Sequence, residues 1–166
     1  MLFRSRLPTP RIFKVGSPAR TIAICVLATL GFAGAGLAGP LEDADAALMR
    51  GDFASALSLL RPLAEQGNAD AQISLGNMHF EGNGVPLNTA EAVKWYTLAA
   101  DHGNANAQMT LGFLYEYGDA VPQDYVQAYK WFALAGYAVY VDAVRAKMNP
   151  AEIAAAQKLA GEWKPQ

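Results

Sequence analysis

The hydrophobic and polar positions between residues 65 and 136 repeat with a spacing of 36 residues. Residues 65–100 align with residues 101–136 without a gap and share 15 identical positions. In each copy, apolar or small residues recur three and four positions apart, which is the spacing of one face of an α-helix. The first copy carries this face on Ala71, Leu75, Met78 and Gly82. The pattern therefore predicts a repeated helical unit.

Each unit is predicted to contain two helices joined by a short turn. The stretch GNGVP at residues 82–86 ends the first helix, because glycine and then proline stop helices. Asn88 and Asp124 are predicted N-caps of the second helices. Trp95 and Trp131 are expected to fill the gap between units with apolar area, while small neighbouring residues let the helices approach closely. The units should stack as helical hairpins.

The flanking segments extend this pattern only in part. Residues 51–67 match a second helix, and residues 41–50 are predicted to form the first helix of the same divergent unit. Downstream, the 36-residue spacing places Lys147 and Met148 where the apolar Leu111 and Gly112 would recur, so the repeat decays. A final helix is predicted after an Asn149 cap, with Pro150 at its first position and Glu152 at its third. Its face should cover the last repeat through Ile153, Ala156, Gln157 and Ala160.

The first 38 residues have a different character. Five cations, Arg4, Arg6, Arg11, Lys14 and Arg20, precede an uncharged run from Thr21 to Ala38. A basic flank, an apolar segment and small residues are typical of a secretory signal peptide, here with cleavage expected between Ala38 and Gly39. The alternative is an uncleaved membrane anchor, since the run is near the lower limit for crossing a bilayer. The predicted location is periplasmic or secreted, or anchored in the inner membrane under the alternative.

Removing this segment changes the available chemistry. Cys25 leaves with it, and 8 Lys and Arg remain against 15 Asp and Glu, a formal charge of −7. An acidic domain is a poor candidate for binding nucleic acid, because phosphate binding depends on clustered cations. Two distant histidines without cysteine do not indicate a zinc site. We therefore expect no cofactor and no metal.

The repeated residues resemble a known family. Both copies resemble Sel-1-like repeats, which are related to tetratricopeptide repeats. The shared elements are the Leu-Gly pairs Leu75-Gly76 and Leu111-Gly112, the two Gly-x-x-Val-Pro elements and the two Ala-x-x-Trp elements. This sequence departs from the family at His79 (usually Tyr), Ala120 (usually Gly) and Gly136 (usually Ala). The resemblance implies a bacterial α/α superhelix that binds other proteins in envelope regulation, signalling or host contact, without a catalytic site.

The predicted architecture is therefore all-α, a right-handed α/α superhelical solenoid of helical hairpins with a C-terminal capping helix. We divide the chain into a signal peptide or anchor at 1–38, a divergent first hairpin at 39–66, Sel-1-like repeats at 67–102 and 103–138, and a degenerate repeat with the capping helix at 139–166. The expected function is that of an exported, non-enzymatic scaffold for a protein or peptide partner. So few repeats leave a small surface, which is compatible with modest affinity or weak self-association.

The candidate binding residues lie on the first helix of each repeat, opposite the Ala71/Leu75 face. In helical solenoids the first helices line the concave surface, where exposed aromatic and Met side chains bind partners. The alternative is that these residues pack against neighbouring first helices. The residues are Ile73, Asn77 and Phe80 with their equivalents Met109, Phe113 and Glu116.

Two other functional classes remain open at this point. An envelope hydrolase would use His79, Glu81 and Glu116 as acid-base groups, but the first two stand where the second copy has Tyr115 and Tyr117. An active site should break the symmetry of the repeats, so we expect His79 to be a packing residue. A purely structural spacer between larger envelope proteins is the third class.

Overall fold

The computed structural model describes residues 39–166, and the predicted signal peptide or anchor at 1–38 lies outside the described residues. Residues 39–166 contain eight α-helices and no strand. The prediction of an all-α protein is therefore confirmed. The helices are α1 Pro40–Met49, α2 Phe53–Glu65, α3 Ala69–Glu81, α4 Thr89–Asp101, α5 Ala105–Tyr117, α6 Tyr125–Leu134, α7 Ala138–Arg145 and α8 Pro150–Glu162.

Successive helices pack against each other along the chain. The pairs α1/α2, α3/α4 and α5/α6 form hairpins, and α2 contacts α3 as α4 contacts α5. At the far end, α7 and α8 both pack against α6. This neighbour-to-neighbour packing is that of an α-solenoid. None of the helices from residue 39 onward is both long and apolar enough to cross a membrane.

Polar caps determine where the helices begin, as the sequence predicted. The side chains of Asn88 and Asp124 accept hydrogen bonds from backbone N–H groups in the first turns of α4 and α6. Asn149 and Glu152 form a reciprocal capping box at the start of α8. Gly82 is the left-handed cap that ends α3, with φ of 76°, which confirms that the GNGVP stretch ends the first helix.

Small residues bring the two helices of each repeat into close contact. A Cβ on Gly76 would lie 2.5 Å from Cε1 of Tyr96, and a Cβ on Gly112 would lie 2.5 Å from Cε1 of Phe132. Because only glycine leaves this space, the aromatic ring of the second helix lies directly on the backbone of the first. The remaining core is built mainly from alanine and leucine.

The equivalent tryptophans of the two repeats differ in their surroundings. Trp131 is buried, with the Nζ of Lys130 lying 3.9 Å from its ring centroid. Trp95 is half-buried and packs against the core cluster formed by α1, α2 and α3, as the partly buried Phe53 and Val85 also do. Trp95 therefore fills the space between neighbouring units, as predicted.

The segment that follows α6 begins three residues earlier than the 36-residue spacing predicts. Gly136 has φ of 79° and its N–H donates to Ala133, just as Gly103 has φ of 86° and donates to Ala100. Gly136 is therefore the counterpart of the turn glycine Gly103, and its interpretation as a replaced alanine is wrong. The spacing becomes 33 residues because α6 has 10 residues where α4 has 13.

This shift changes which residue takes each core position in α7. With the shorter spacing, Val144 rather than Lys147 is the counterpart of Leu111, and Val144 is 0% exposed. Lys147 follows the helix and is exposed. In α8, Ala156 is buried and Ile153 is half-buried as predicted, whereas Gln157 is exposed.

Candidate functional site

The solvent-facing sides of α3 and α5 carry equivalent residues in the same order. On each helix the exposed arc runs through four positions separated by three or four residues, and the two arcs are related by the 36-residue repeat. We call this region the first-helix surface. It consists of Asp70, Ser74, Asn77 and Glu81 on α3 and Asn106, Thr110, Phe113 and Tyr117 on α5.

The structure separates the six predicted binding residues into two groups. Ile73, Met109, Asn77 and Phe113 are half-buried at or beside the first-helix surface. Phe80 is 5% exposed and Glu116 is 7% exposed. The expectation that these two side chains are available to a partner is wrong, because they are packed inside the protein. A binding role for the other four stays a prediction.

The width of the buried arc explains the error at Phe80. The helix α3 is contacted by α2 on one side and by α4 on the other, so its buried arc covers well over half of the helix. At about 100° per residue, Phe80 lies about 20° from Ile73 toward the buried side, while Glu81 lies about 80° from Ile73 toward solvent. The exposed arc is therefore centred on Asp70 and Glu81, and the predicted stripe of Ile73, Asn77 and Phe80 lies along its edge.

An aromatic cluster forms the apolar end of the first-helix surface. The ring centroid of Phe113 lies 5.0 Å from that of Phe132 and 4.9 Å from that of Tyr140, both in edge-to-face geometry. The ring of Tyr117 stacks on Phe113 with 6.1 Å between centroids. Tyr117 is 65% exposed, so it is the main aromatic group that this surface offers to a partner.

Tyr117 was not among the predicted binding residues. The signal that could have identified it is its position four residues after Phe113 on the same helical face. In the sequence, Tyr117 stands out only as the counterpart of Glu81 in the 36-residue repeat. Burial raises the pKa of the Tyr117 hydroxyl above its usual value, and the charge of Glu116 raises it further.

The equivalent place in the first repeat is polar. The hydroxyl of Tyr96 donates to Oδ1 of Asn77 at 2.8 Å, where the second repeat has Phe132 against Phe113. Burial raises the pKa of Tyr96, and the Glu81 charge adds to the shift, so its hydroxyl stays protonated and acts as a donor. The first-helix surface is thus polar on α3 and aromatic on α5.

The first helices α1, α3 and α5 carry no Lys or Arg side chain, whereas α7 carries Arg145. The segments α1, α3 and α5 contain six Asp and Glu residues between them and neither Lys nor Arg. Burial raises the pKa of Asp45 on α1, and the negative charges of Asp70 and Glu42 raise it further. Asp70 also accepts a hydrogen bond from Nδ2 of Asn104 at 3.3 Å. Negative charge therefore concentrates beside α3, away from the aromatic end.

Glu116 forms an ion pair instead of facing a partner. Nζ of Lys147 lies 2.8 Å from its Oε1, and Nε2 of Gln123 donates to its backbone carbonyl at 2.8 Å. The hydrogen bond from Lys147 to the Glu116 carboxylate raises the pKa of Lys147 above its usual value. The pair connects the end of α5 to the segment between α7 and α8.

The residues of the hydrolase alternative have separate environments. Glu81 accepts from Nδ2 of Asn83 at 2.6 Å, and Glu116 is paired with Lys147. Nδ1 of His79 is buried and has no hydrogen-bond partner. Within residues 39–166, no hydrogen bond joins any two of the three, and no group of three His, Cys, Asp or Glu side chains is placed to hold a metal ion.

The comparison with known proteins agrees with the repeat. The Sel1 repeat model matches residues 69–104 and residues 105–138. None of the curated proteins compared with the chain is similar to it.

Two crystal structures show the same fold. A protective antigen of uropathogenic Escherichia coli strains, described as displaying an SLR fold, is 28% identical with a TM-score of 0.68; the match covers 75% of this chain and 30% of that protein. A Sel1 repeat protein from Oxalobacter formigenes is 25% identical with a TM-score of 0.60, covering 75% of this chain and 56% of the other. This chain therefore spans less than two thirds of either relative. Residues 69–138 thus carry two Sel1 repeats, and the solenoid of helical hairpins in residues 39–166 is similar to the fold of these Sel1-like repeat proteins.

Proposed function

We propose that this protein is a non-enzymatic interaction module that binds a protein or peptide on the first-helix surface. Sel1 repeats mediate protein–protein interaction, and the first-helix surface is the part of both repeats that their second helices leave uncovered. The observation that carries the proposal is the exposed Tyr117 stacked on Phe113, beside the half-buried Met109. Aromatic and Met side chains in such a position are typical anchors for a partner.

The charge of the surface suggests the chemistry of the partner. An apolar side chain of the partner would lie against Tyr117 and Phe113 on α5. Basic groups would be favoured next to α3, where Asp70 and Glu81 are exposed and the helices α1, α3 and α5 contain no Lys or Arg. Attraction between exposed charges of this kind weakens as salt screens it. Binding should therefore be weaker at high ionic strength but not abolished, since the aromatic contact remains.

We also propose that the protein acts in the bacterial envelope after export. The support is the five cations followed by an uncharged run that ends at Ala38, and the presence of the fold in a bacterial protective antigen. The product is periplasmic or secreted if the segment is cleaved, and anchored in the inner membrane if it is not. Mass spectrometry of the protein from fractionated cells distinguishes the cleaved from the anchored form, because cleavage leaves Gly39 as the first residue.

The enzyme alternative receives less support from the geometry. His79, Glu81 and Glu116 are each held by different neighbours or by packing, and the same positions in the other repeat hold Tyr115, Tyr117 and Phe80. A general acid and base should converge on one place where a substrate can lie. The protein is thus better suited to binding than to hydrolysis.

Crosslinking in the native envelope tests the interaction. The chain with Tyr117→Ser is compared with the chain with Leu98→Ser, which removes an exposed apolar side chain from the second helix α4. We expect Tyr117→Ser to lower the yield of a defined crosslinked species at least tenfold and Leu98→Ser to leave it unchanged. Equal yields for both variants would refute binding at the first-helix surface, provided that their circular dichroism spectra match that of the unchanged protein.

A further inference from the structure

The four residues after α8 turn back onto the repeat array. The helix ends at Glu162, and Trp163 has an extended backbone that takes the chain away from the helix axis. The ring of Trp163 then lies 3.9 Å from the position that a Cβ would occupy on Gly103. The N–H of Gln166 donates to the carbonyl of Asp101 at 3.0 Å. Residues 163–166, which we call the clasp segment, thus lie against the turn between α4 and α5.

An aromatic ring also lies against the corresponding turn one unit earlier. Gly67 lies in the turn between α2 and α3, and Cε1 of His102 is 3.7 Å from the position of its missing Cβ. His102 is the residue directly before the turn glycine Gly103. In this part of the array, therefore, the end of one second helix provides the ring that lies against the preceding turn.

The shortened helix α6 cannot repeat this arrangement. The residue directly before its turn glycine is Ala135, which has no ring. No atom of Ala135 lies within 4 Å of the Cβ position on Gly103, and Trp163 is the residue found there. The next turn, at Gly136, has no side chain or backbone atom within 4 Å of its Cβ position. Trp163 thus replaces the ring that the 33-residue unit lacks.

The clasp segment is also a second attachment for α8. The main helix contact of α8 is with α6, through the buried Ala156. The clasp segment adds a contact one repeat further back, on the turn that begins the second Sel1 repeat. Because this contact involves one half-buried ring and one backbone hydrogen bond, it is small enough to open without unfolding the rest of the array.

We propose that residues 163–166 form a releasable clasp, in which an aromatic side chain and one backbone N–H dock on the α4–α5 turn and hold α8 against the array. The turn is accordingly a docking site for an aromatic residue followed by an extended segment, filled here by the chain itself. Opening the clasp moves the Trp163 ring away from the Gly103 turn and lets α8 separate from α6 more often. This inference does not depend on the binding partner proposed above.

Amide hydrogen exchange of the full chain tests the proposal. Trp163→Ala should accelerate exchange in α8 about tenfold, the size expected for the loss of one aromatic contact from a local opening equilibrium. Exchange in α3 should not change. Lys164→Ala is the matched control, because Lys164 is exposed and neither contact of the clasp uses its side chain. Equal exchange in α8 for Trp163→Ala and the unchanged chain would overturn the clasp.

A chain that ends at Glu162 tests whether the clasp segment can dock on the α4–α5 turn when it is not covalently attached to α8. The amides of α8 in this shortened chain should exchange as fast as in Trp163→Ala. Addition of the peptide acetyl-WKPQ at millimolar concentration should slow amide exchange at the α4–α5 turn. Acetyl-AKPQ is the control peptide. Protection by the first peptide alone supports an aromatic docking site on the turn, whereas equal effects of the two peptides would contradict it.

Discussion

The two Sel1 repeats share the same backbone scaffold. Nε2 of Gln72 donates to the carbonyl of Ala64 at 3.0 Å, and Nε2 of Gln108 donates to that of Ala100 at the same distance. The loop of each hairpin is closed by a bond from the N-cap amide to the first helix, at 2.8 Å and 2.9 Å. The repeated identities in the sequence therefore preserve backbone hydrogen bonds and the close contacts of glycine.

The side chains between the helices differ where the neighbouring unit differs. The first repeat joins Asn77 and Tyr96 by a hydrogen bond, whereas the second packs Phe113 against Phe132 and the additional ring of Tyr140 from α7. Tyr140 is present because the 33-residue spacing places it where α5 has the small Ala107. The comparison teaches that one scaffold accepts either a polar or an aromatic pair, according to what packs beside it.

Exchanging one member of this pair should have the largest effect. Phe113→Asn places the first repeat's residue against Phe132, which has no hydroxyl to donate. The loss of apolar burial and the unpaired amide should lower the free energy of unfolding by about 2–4 kcal/mol, measured by urea denaturation.

The double variant Phe113→Asn with Phe132→Tyr restores the polar pair of the first repeat. We expect it to recover about 1 kcal/mol, the contribution of one hydrogen bond. No recovery would show that the two repeats are not interchangeable at this position, because Tyr140 then prevents the polar arrangement.

The glycines under the aromatic rings should have the next largest effect. Gly76→Ala and Gly112→Ala each place a Cβ 2.5 Å from a ring carbon, so the second helix must shift. We expect each to lower the free energy of unfolding by about 1–3 kcal/mol.

Gly161→Ala in α8 is the matched control, because no atom lies within 4 Å of its Cβ position. This change should instead stabilise the protein by about 0.5–1 kcal/mol, since alanine restricts the unfolded chain and favours helix. If Gly76→Ala and Gly112→Ala differed in sign, the shared scaffold would be disproved.

The ion pair at the end of α5 belongs to the second repeat alone. Lys147→Met leaves Glu116 buried without its cation and should cost about 1 kcal/mol at pH 7, since the half-exposed Lys147 is partly screened by water. The pKa of Lys147 is raised in the folded protein, so its contribution is fully present below the usual lysine pKa of about 10.4. The difference between the variant and the unchanged protein should therefore shrink as the pH rises through the folded pKa, which urea denaturation at a series of pH values from 7 upward measures.

Replacing His79 with the residue of the second repeat should have the smallest effect. His79→Tyr removes a buried Nδ1 that has no hydrogen-bond partner and introduces the counterpart of Tyr115. We expect the free energy of unfolding to change by less than about 0.5 kcal/mol and partner binding to be unaffected. A stable variant that has lost its function in the cell would restore the acid-base hypothesis.

Local signals in the sequence were sufficient to predict the helices and their order along the chain. Asn88, Asp124 and Asn149 cap helices because a short polar side chain can pair with the free N–H groups of the first turn, a property of the local chain. The 36-residue repeat likewise predicted the hairpins and the family. The candidate surface was less predictable, since Phe80 and Glu81 are adjacent in sequence but lie on opposite sides of the boundary between core and solvent.

The sequence by itself determined an all-α Sel1-like solenoid, because capping, glycine punctuation and apolar periodicity act over a few residues. Only the tertiary structure decided that α6 is three residues shorter than α4, that Gly136 is a turn glycine, and that Tyr117 rather than Phe80 faces solvent. These outcomes depend on which helices contact each side of a given helix and on where a distant segment such as Trp163 docks. Packing between helices determines these features, and they cannot be predicted from the spacing of residues along one helix.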